Sequence, residues 1–114
     1  MHEMSIISHA LASVEKQAEK HKLQKIIQIT LEIGKMRAAV PALLIHAFDE
    51  LSPGTIYEGA KLVIEEKDVD LECRICGRHI ESEDSLLAGC PACGSHKIKL
   101  LTGNELKIKN IIGE

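Results

Sequence analysis

Four cysteines stand in two CxxC pairs whose spacing is typical of a metal site. Cys73 and Cys76 form the first pair, Cys90 and Cys93 form the second, and 13 residues separate the two pairs. Each pair places two thiolates on one tight turn, and two such turns complete a tetrahedral shell of sulfur around zinc. Because four thiolates leave no open position for water or substrate, we predict a structural zinc site, which contributes on the order of 10 kcal/mol to folding.

Two other uses of paired cysteines compete with zinc binding, namely disulfides and a redox dithiol. Nothing that resembles a secretory signal precedes the first predicted helix, which favours a reducing compartment and argues against disulfides. A redox CxxC pair sits at a strand-to-helix junction, and neither pair here is followed by a helical pattern. Gly77 and Gly94 directly follow the two pairs, where a backbone that turns around a metal needs the positive φ that glycine adopts at low cost.

Other polar residues lie around the predicted zinc site. His79 and His96 each come three residues after a cysteine. A solvated surface histidine is the simpler interpretation of both, and the alternative is that either one replaces a thiolate or binds a second metal when its protonation changes. Carboxylates lie between the two cysteine pairs, and a zinc hydrolase would need such an acid or base near an open zinc site. A solvated loop is the simpler interpretation, so we predict no catalysis. These carboxylates belong to Glu81, Glu83 and Asp84.

Composition narrows the classes of function. The 114 residues suffice for one compact domain, or for a small domain that carries a smaller module. A net charge of -3, a pI near 6.1 and only two aromatic residues, Phe48 and Tyr57, argue against nucleic-acid binding, which uses basic surfaces and stacking rings. No apolar run approaches the ~20 residues that span a bilayer, so we expect a soluble cytoplasmic protein.

Apolar periodicity predicts two helices. In the first, apolar residues recur every three or four positions from residue 4 onward, which indicates an amphipathic helix with one buried face. The apolar residues of this face are Met4, Ile7, Leu11, Val14 and Ala18. The second helix is predicted from Pro41 to about Leu51, because proline suits the first helical position. Its predicted core residues are Leu44, Phe48 and Leu51.

Alternating patterns predict three strands, over residues 25–33, 60–68 and 105–112. The alternating apolar residues of the first strand are Ile27, Ile29, Leu31 and Ile33. The second strand leads toward Cys73, and the third follows the last cysteine, so the simplest arrangement inserts the cysteine segment between two strands of one sheet.

We therefore predict an α+β fold with two helices packed on a three-stranded sheet and an inserted zinc-ribbon-like four-cysteine module. The expected domains are residues 1–68, completed by a returning strand over residues 104–114, and a zinc module over residues 69–103.

The chain begins Met1-His2-Glu3. A free α-amine beside a histidine supplies nitrogen ligands at chelating distance, namely the amine of Met1 and the backbone and imidazole nitrogens of His2. The amide of Glu3 or an oxygen could complete a plane, which is a geometry that suits Ni(II) or Cu(II). A deprotonated amide ligand makes affinity rise with pH. On these three residues alone, a chance Met-His start is the simpler interpretation.

Over essentially its whole length the chain resembles the HypA (HybF) family of hydrogenase and urease maturation proteins. The resemblance is carried by the order and spacing of several motifs rather than by one of them. They are Met1-His2-Glu3, VPALL at residues 40–44 with Ala47-Phe48, EGAKLVI at residues 58–64, the two cysteine pairs with CPACGS at residues 90–95, and GNELKI at residues 103–108.

Members of that family are nickel metallochaperones, so the resemblance implies a function and two metal sites. It implies Ni(II) at the amino-terminal motif and structural Zn(II) at the two cysteine pairs. It also implies delivery of nickel to the hydrogenase large-subunit precursor together with HypB, a nucleotide-hydrolysing maturation protein. The ligands implied are Met1, His2 and Glu3 for nickel and Cys73, Cys76, Cys90 and Cys93 for zinc.

The resemblance leaves several matters open. Hydrogenase and urease pathways share the family, so the client is not fixed, and a homodimer is one option for the oligomeric state. The offsets of His79 and His96 from the cysteines differ from those expected of relatives with flanking histidines. The alternative function is a zinc-ribbon adaptor that binds protein and uses no nickel.

Overall fold

Ten secondary-structure elements follow one another along residues 3–114, the part of the chain that the computed structural model describes. They are helix α1 (Glu3–Lys20), strand β1 (Ile26–Gly34), a 3-10 turn (Lys35–Arg37), helix α2 (Pro41–Leu51), strands β2 (Lys61–Lys67), β3 (Asp70–Cys73) and β4 (His79–Ile80), helix α3 (Ser85–Ala88), and strands β5 (Ile98–Thr102) and β6 (Leu106–Gly113).

The described residues pack into two compact units. The first unit comprises residues 3–32, Ala38–Glu65 and Leu106–Glu114, and the second comprises Ile33–Arg37 and Glu66–Glu105. The structure confirms the predicted α+β class, with helices packed on a sheet and a separate four-cysteine cluster.

The sheet that contains β1 has three strands in the order β2-β1-β6. The pairing of β1 with β6 is antiparallel, because hydrogen bonds join opposite ends of the two strands. The backbone N–H of Lys25 donates to the carbonyl of Glu114 at 3.0 Å, and the N–H of Gly34 donates to the carbonyl of Glu105 at 2.8 Å. A strand from the end of the chain therefore completes a sheet that begins near the amino terminus.

Helices α1 and α2 supply much of the core of the first unit. The apolar stripe of α1 is buried together with that of α2 and with apolar residues of β1, which is the expected result of amphipathic periodicity. The buried apolar residues of α1 are Ile6, Ile7, Ala10, Leu11, Val14 and Ala18, and those of α2 are Leu44, Ala47 and Phe48. The rings of Phe48 and Tyr57 lie 5.9 Å apart between centroids, and the hydroxyl of Tyr57 donates to Glu15 Oε1 at 3.1 Å.

Two residues that were predicted to lie in the core, Met4 and Ile27, are exposed. Met4 is 41% exposed, and Ile6 is buried in α1 although it was outside the predicted stripe. In β1, Ile27 is 45% exposed whereas Ile26 is fully buried. The N–H of Ile26 donates to the carbonyl of Ile56 at 2.8 Å. The first residue of β1 is therefore bonded to the segment that precedes β2.

The predicted polar face of β1 is also more buried than its sequence indicates. Thr30 and Glu32 are both buried. The ammonium group of Lys107 on β6 lies 3.3 Å from a carboxylate oxygen of Glu32. Long lysine side chains cover a surface with their methylene groups while the charged end stays in water. The side chain of Lys107 on β6 therefore helps to cover the polar face of β1.

The second unit contains a small sheet of its own, in the order β4-β3-β5, which the sequence pattern did not predict. Both pairings of β3 are antiparallel, with Leu71 opposite Ile80 on β4 and opposite Leu100 on β5. The predicted continuous strand over residues 60–68 ends at Lys67, and a separate strand leads from Asp70 into Cys73. None of the helices described over residues 3–114 is long and apolar enough to cross a membrane.

Candidate metal centre

The first cysteine pair lies on a tight turn at the end of β3. The N–H of Cys73 donates to the carbonyl of Arg78 at 2.9 Å, and the N–H of Gly77 donates back to the carbonyl of Cys73 at 2.9 Å. Gly77 has φ +76, which is the left-handed conformation that a side chain would disfavour. The turn also points the N–H of Cys76 at the sulfur of Cys73, 3.5 Å away.

The second cysteine pair repeats the same backbone arrangement. The N–H of Cys90 donates to the carbonyl of Ser95 at 2.8 Å, and the N–H of Gly94 donates to the carbonyl of Cys90 at 2.8 Å. Gly94 has φ +75, close to the value at the equivalent glycine of the first pair. We call these two turns the knuckles, residues 73–78 and 90–95.

The two knuckles bring four sulfur atoms together. The Sγ atoms of Cys73 and Cys93 are 3.5 Å apart, and those of Cys76 and Cys90 are 3.7 Å apart. All four Sγ atoms lie within 4.8 Å of one another. Four sulfurs at the Zn–S distance of ~2.3 Å on a tetrahedron would be separated by roughly 3.8 Å. The arrangement therefore fits a tetrahedral zinc ion, and the four cysteines are free thiols rather than disulfides.

The four thiols do not ionise equally. Backbone N–H groups of Cys76 and Ile75 lower the pKa of the Cys73 thiol to about 6, and the N–H of Cys93 lowers the pKa of Cys90. The N–H of Ser95 favours the Cys93 thiolate, but the neighbouring sulfur of Cys73 and desolvation outweigh it and raise the pKa of Cys93 to about 12. Several thiolates this close repel one another, so a divalent cation is needed to hold all of them ionised.

The apolar core around the cysteines is very small. It consists of the buried residues Leu71, Cys73, Ile80 and Cys90, with Val69 and Ile98 packed against them. Two of the four buried members are therefore cysteines of the sulfur cluster. A segment with so little apolar surface to bury depends on a metal or a crosslink for its stability.

His79 lies on β4 and is held by carboxylates instead of sulfur. Its Nδ1 atom is 2.9 Å from Asp70 Oδ1, and its Nε2 atom is 3.8 Å from Glu72 Oε2. The hydrogen bond with Asp70, followed by the charge of that carboxylate, raises the pKa of His79. The sequence signal for this cluster is Asp70-x-Glu72 on a strand opposite a histidine, and the cluster was not predicted.

The other predicted polar candidates stay outside the sulfur cluster. The ring of His96 packs near Gly89, since a Cβ built on that glycine would lie 3.2 Å from His96 Cε1. Glu81, Glu83 and Asp84 are exposed in the segment before α3. Among residues 3–114, the group with the geometry of a metal site contains the four cysteines and no histidine or carboxylate.

Of the predicted nickel ligands, Met1 and His2 lie outside the described residues, and Glu3 begins α1. The carboxylate of Glu3 accepts a hydrogen bond from the backbone N–H of Val40 at 3.1 Å. Val40 is the residue that precedes α2. The contact spans 37 positions of sequence, and no local pattern indicates it.

A groove of about 660 Å³ runs between α1 and the outer edge of the β2-β1-β6 sheet. Its helical side includes His9, Ser13 and Gln17, and β6 forms its other side. Strand β6 is at the edge of the sheet, and both polar and apolar side chains line the groove beside it. Sequence periodicity predicted both elements but not the space between them.

Comparisons with known proteins cover nearly the whole chain. Residues 1–112 match the sequence profile of a family described as hydrogenase/urease nickel incorporation, metallochaperone, hypA. The hydrogenase maturation factor HypA of Trichormus variabilis is 40% identical over 111 residues, which cover 97% of this chain and 94% of that protein. The factor of the same name from Methanothermobacter thermautotrophicus is 34% identical over 116 residues, with 97% and 95% covered.

The fold is also similar to a solved structure. The solution structure of the Ni metallochaperone HypA from Helicobacter pylori superposes with a TM-score of 0.70 at 26% sequence identity. The superposition covers 99% of this chain and 97% of the other. The family match over residues 1–112 spans both cysteine pairs and the amino-terminal residues.

Proposed function

Because the chain belongs to the HypA family of metallochaperones for hydrogenase and urease nickel incorporation, we propose that it binds Ni(II) through Met1, His2 and Glu3 and delivers it to a client enzyme. The observation that carries the proposal is the family match over residues 1–112, which includes these three residues. Nickel is the cargo in this proposal, and zinc is a resident structural ion.

The donor set at the amino terminus suits a metal that must be released. The α-amine of Met1 and the imidazole of His2 are nitrogen donors, and backbone nitrogens of His2 and Glu3 can complete a planar set, as Ni(II) favours. A site at a chain end has few ligands and open access, which favours transfer to another protein. Because amide ligands must lose protons, nickel affinity should rise with pH.

The resident ion is Zn(II), held by Cys73, Cys76, Cys90 and Cys93. The sulfur separations of 3.5 and 3.7 Å and the small core around the knuckles support this assignment. Four thiolates fill a tetrahedral shell, so zinc here stabilises the fold and performs no catalysis. Sulfur for zinc and nitrogen for nickel keep the two metals at separate sites.

The client is a nickel–iron hydrogenase large-subunit precursor or, through the same family, urease. Delivery takes place with a HypB-type nucleotide-hydrolysing maturation protein. The compartment is the cytoplasm, because a cluster of thiolates that binds metal requires reducing conditions. The curated relatives are named hydrogenase maturation factors, which supports the hydrogenase as first client.

Calorimetry with Ni(II) on three zinc-loaded proteins tests the proposal. The first has a free Met1 amine, the second carries His2→Ala, and the third carries one extra residue before Met1. We expect one tightly bound Ni(II) in the first protein only, because the other two lack the imidazole or have the amine displaced.

Equal binding by all three proteins would place nickel elsewhere and exclude the amino terminus. Absence of tight nickel binding in the first protein would favour the alternative, a zinc-ribbon adaptor that binds protein without nickel. An adaptor would also keep its partner binding when the amino terminus is blocked, whereas a carrier would lose nickel.

A further inference from the structure

Strand β6 presents an apolar face and a basic face. Leu106 and Ile108 are half-buried and line the groove beside α1. Lys107 and Lys109 alternate with them, and their side chains are 65% and 47% exposed. Successive side chains of a strand point to opposite faces of its sheet, so the lysine side chains leave β6 on the face opposite to Leu106 and Ile108.

Each of these two lysines has a carboxylate partner within the sheet. Lys107 Nζ lies 3.3 Å from Glu32 Oε2, and Lys109 Nζ lies 2.9 Å from Glu65 Oε1. An ammonium group has three N–H donors, so a lysine that bonds one carboxylate can bond a second one that approaches from the outer side of the strand.

The groove differs in charge from the rest of the protein. Among the described residues, those that line it include two lysines and two histidines and no aspartate or glutamate, although the whole chain has a net charge of -3. Its volume is about 660 Å³, and it runs beside a strand of eight residues. The groove therefore complements an extended segment that carries negative charge.

We propose that the groove is a docking site for an extended segment of a partner protein in which acidic and apolar residues alternate. The segment adds to β6 as a further strand, because β6 is at the edge of the sheet and half of the backbone groups of an edge strand face outward. Its apolar side chains enter the groove beside Leu106 and Ile108, and its carboxylates meet Lys107 and Lys109 on the other face. This docking does not depend on where nickel binds.

The same lysines disfavour a second copy of this chain at that edge. Antiparallel pairing of β6 with the β6 of another copy would bring Lys107 and Lys109 of both copies to the same face of two adjacent strands, where like charges are destabilising. Edge lysines are one device by which proteins avoid such pairing. An acidic segment makes favourable pairs with the same charges, so the lysines select the partner.

Nuclear magnetic resonance of isotope-labelled, zinc-loaded protein tests the proposal by titration with a capped peptide of sequence VEVEVE. We expect shifts of the amides of β6 and of the part of α1 that lines the groove. The charge-reversed peptide VKVKVK is the control and should bind about ten-fold more weakly. The double variant Lys107→Gln, Lys109→Gln should weaken binding of the acidic peptide about five-fold. Glu65→Gln, which removes the internal partner of Lys109, should not weaken it.

A pair of matched variants on α1 tests the groove itself. Ser13 is exposed and lines the groove, whereas the exposed Ala12 beside it does not belong to the lining. Ser13→Phe should abolish binding of the acidic peptide because the ring fills the groove, and Ala12→Phe should leave binding unchanged. Because both substitutions add a ring to an exposed position of one helix, the comparison separates occupation of the groove from a general effect on α1.

Four results would overturn the proposal. They are equal affinity for the two peptides, unchanged affinity in Ser13→Phe, absence of peptide-induced shifts in β6, and concentration-dependent shifts in β6 without peptide. The third would mean that the lysines only protect the edge of the sheet, and the fourth would identify a second copy of the chain as the occupant.

Discussion

The sulfur atoms of Cys73 and Cys93 lie 3.5 Å apart although the two residues are 20 positions apart in the sequence. They belong to different knuckles, and each knuckle closes through the same pair of backbone hydrogen bonds. The chain therefore forms two rigid half-sites and joins them at the sulfur cluster. The stability of the second unit should depend on whatever ion holds the half-sites together.

Removal of zinc should unfold the knuckles and their small sheet while the first unit keeps its structure. We expect Cys90→Ser to lower zinc content and to abolish amide protection in β3 and β5, because the buried residues of that core other than the cysteines are just Leu71 and Ile80. The cost is on the order of several kcal/mol. Zinc analysis and hydrogen exchange measure both effects, with the exposed Arg78→Ala as the control, since its carbonyl and hence its bond from Cys73 are retained.

Unchanged protection of β3 and β5 after full removal of zinc by a chelator would contradict this prediction. It would mean that the short strands are stable through their own pairing. The amides of α1 and β1 serve as an internal reference in the same experiment.

His79 should titrate above its usual range, because the hydrogen bond and charge of Asp70 raise its pKa. A folded pKa above the unfolded value means that protonated His79 stabilises the fold. This contribution is fully present below the unfolded pKa of about 6.5 and is lost as pH rises through the higher folded pKa.

Nuclear magnetic resonance of the His79 ring checks the prediction in three proteins. Asp70→Asn should move the titration of His79 to lower pH, and Glu72→Gln should move it less, since Asp70 makes the closer contact at 2.9 Å. An unchanged titration in Asp70→Asn would show that the contact is absent in solution.

Gly34→Ala should be more destabilising than a glycine-to-alanine substitution at a position where a Cβ has free space. A Cβ at Gly34 would overlap with the backbone carbonyl of Gly103, which cannot move as a side-chain end can. We expect a loss of about 2 kcal/mol in the free energy of unfolding.

Gly54→Ala is the matched control, because a Cβ there meets nothing within 4 Å although its φ is +80. It should cost about 1 kcal/mol from backbone strain alone. Chemical denaturation of both variants gives the comparison, and equal losses would show that the backbone at Gly34 moves aside.

The sequence predicted the elements that follow from periodicity and from strong local chemistry. The four cysteines, the two long helices and the three strands of the larger sheet were predicted because each has a regular pattern over many residues. The exchange of Ile26 for Ile27 in the core was not, because the burial pattern of β1 departs from strict alternation at the start of the strand.

The smaller sheet and the polar contacts were not predicted, for a different reason. Strand β4 has two residues, which is too short for an alternating pattern. The contact between Glu3 and Val40 joins residues 37 positions apart, and the pairing of His79 with Asp70 depends on strand register. Periodicity indicates which face a residue occupies, but not which distant group it meets.

Each knuckle contributes one buried and one exposed cysteine, Cys73 with Cys76 and Cys90 with Cys93. An ion held by the four sulfurs would thus be shielded on one side and accessible on the other. A competing chelator, an oxidant or another metal ion meets Cys76 and Cys93 before it meets the buried pair. Metal exchange at this site should therefore proceed stepwise, with the exposed thiolates detaching first and the buried ones retaining the departing ion until last.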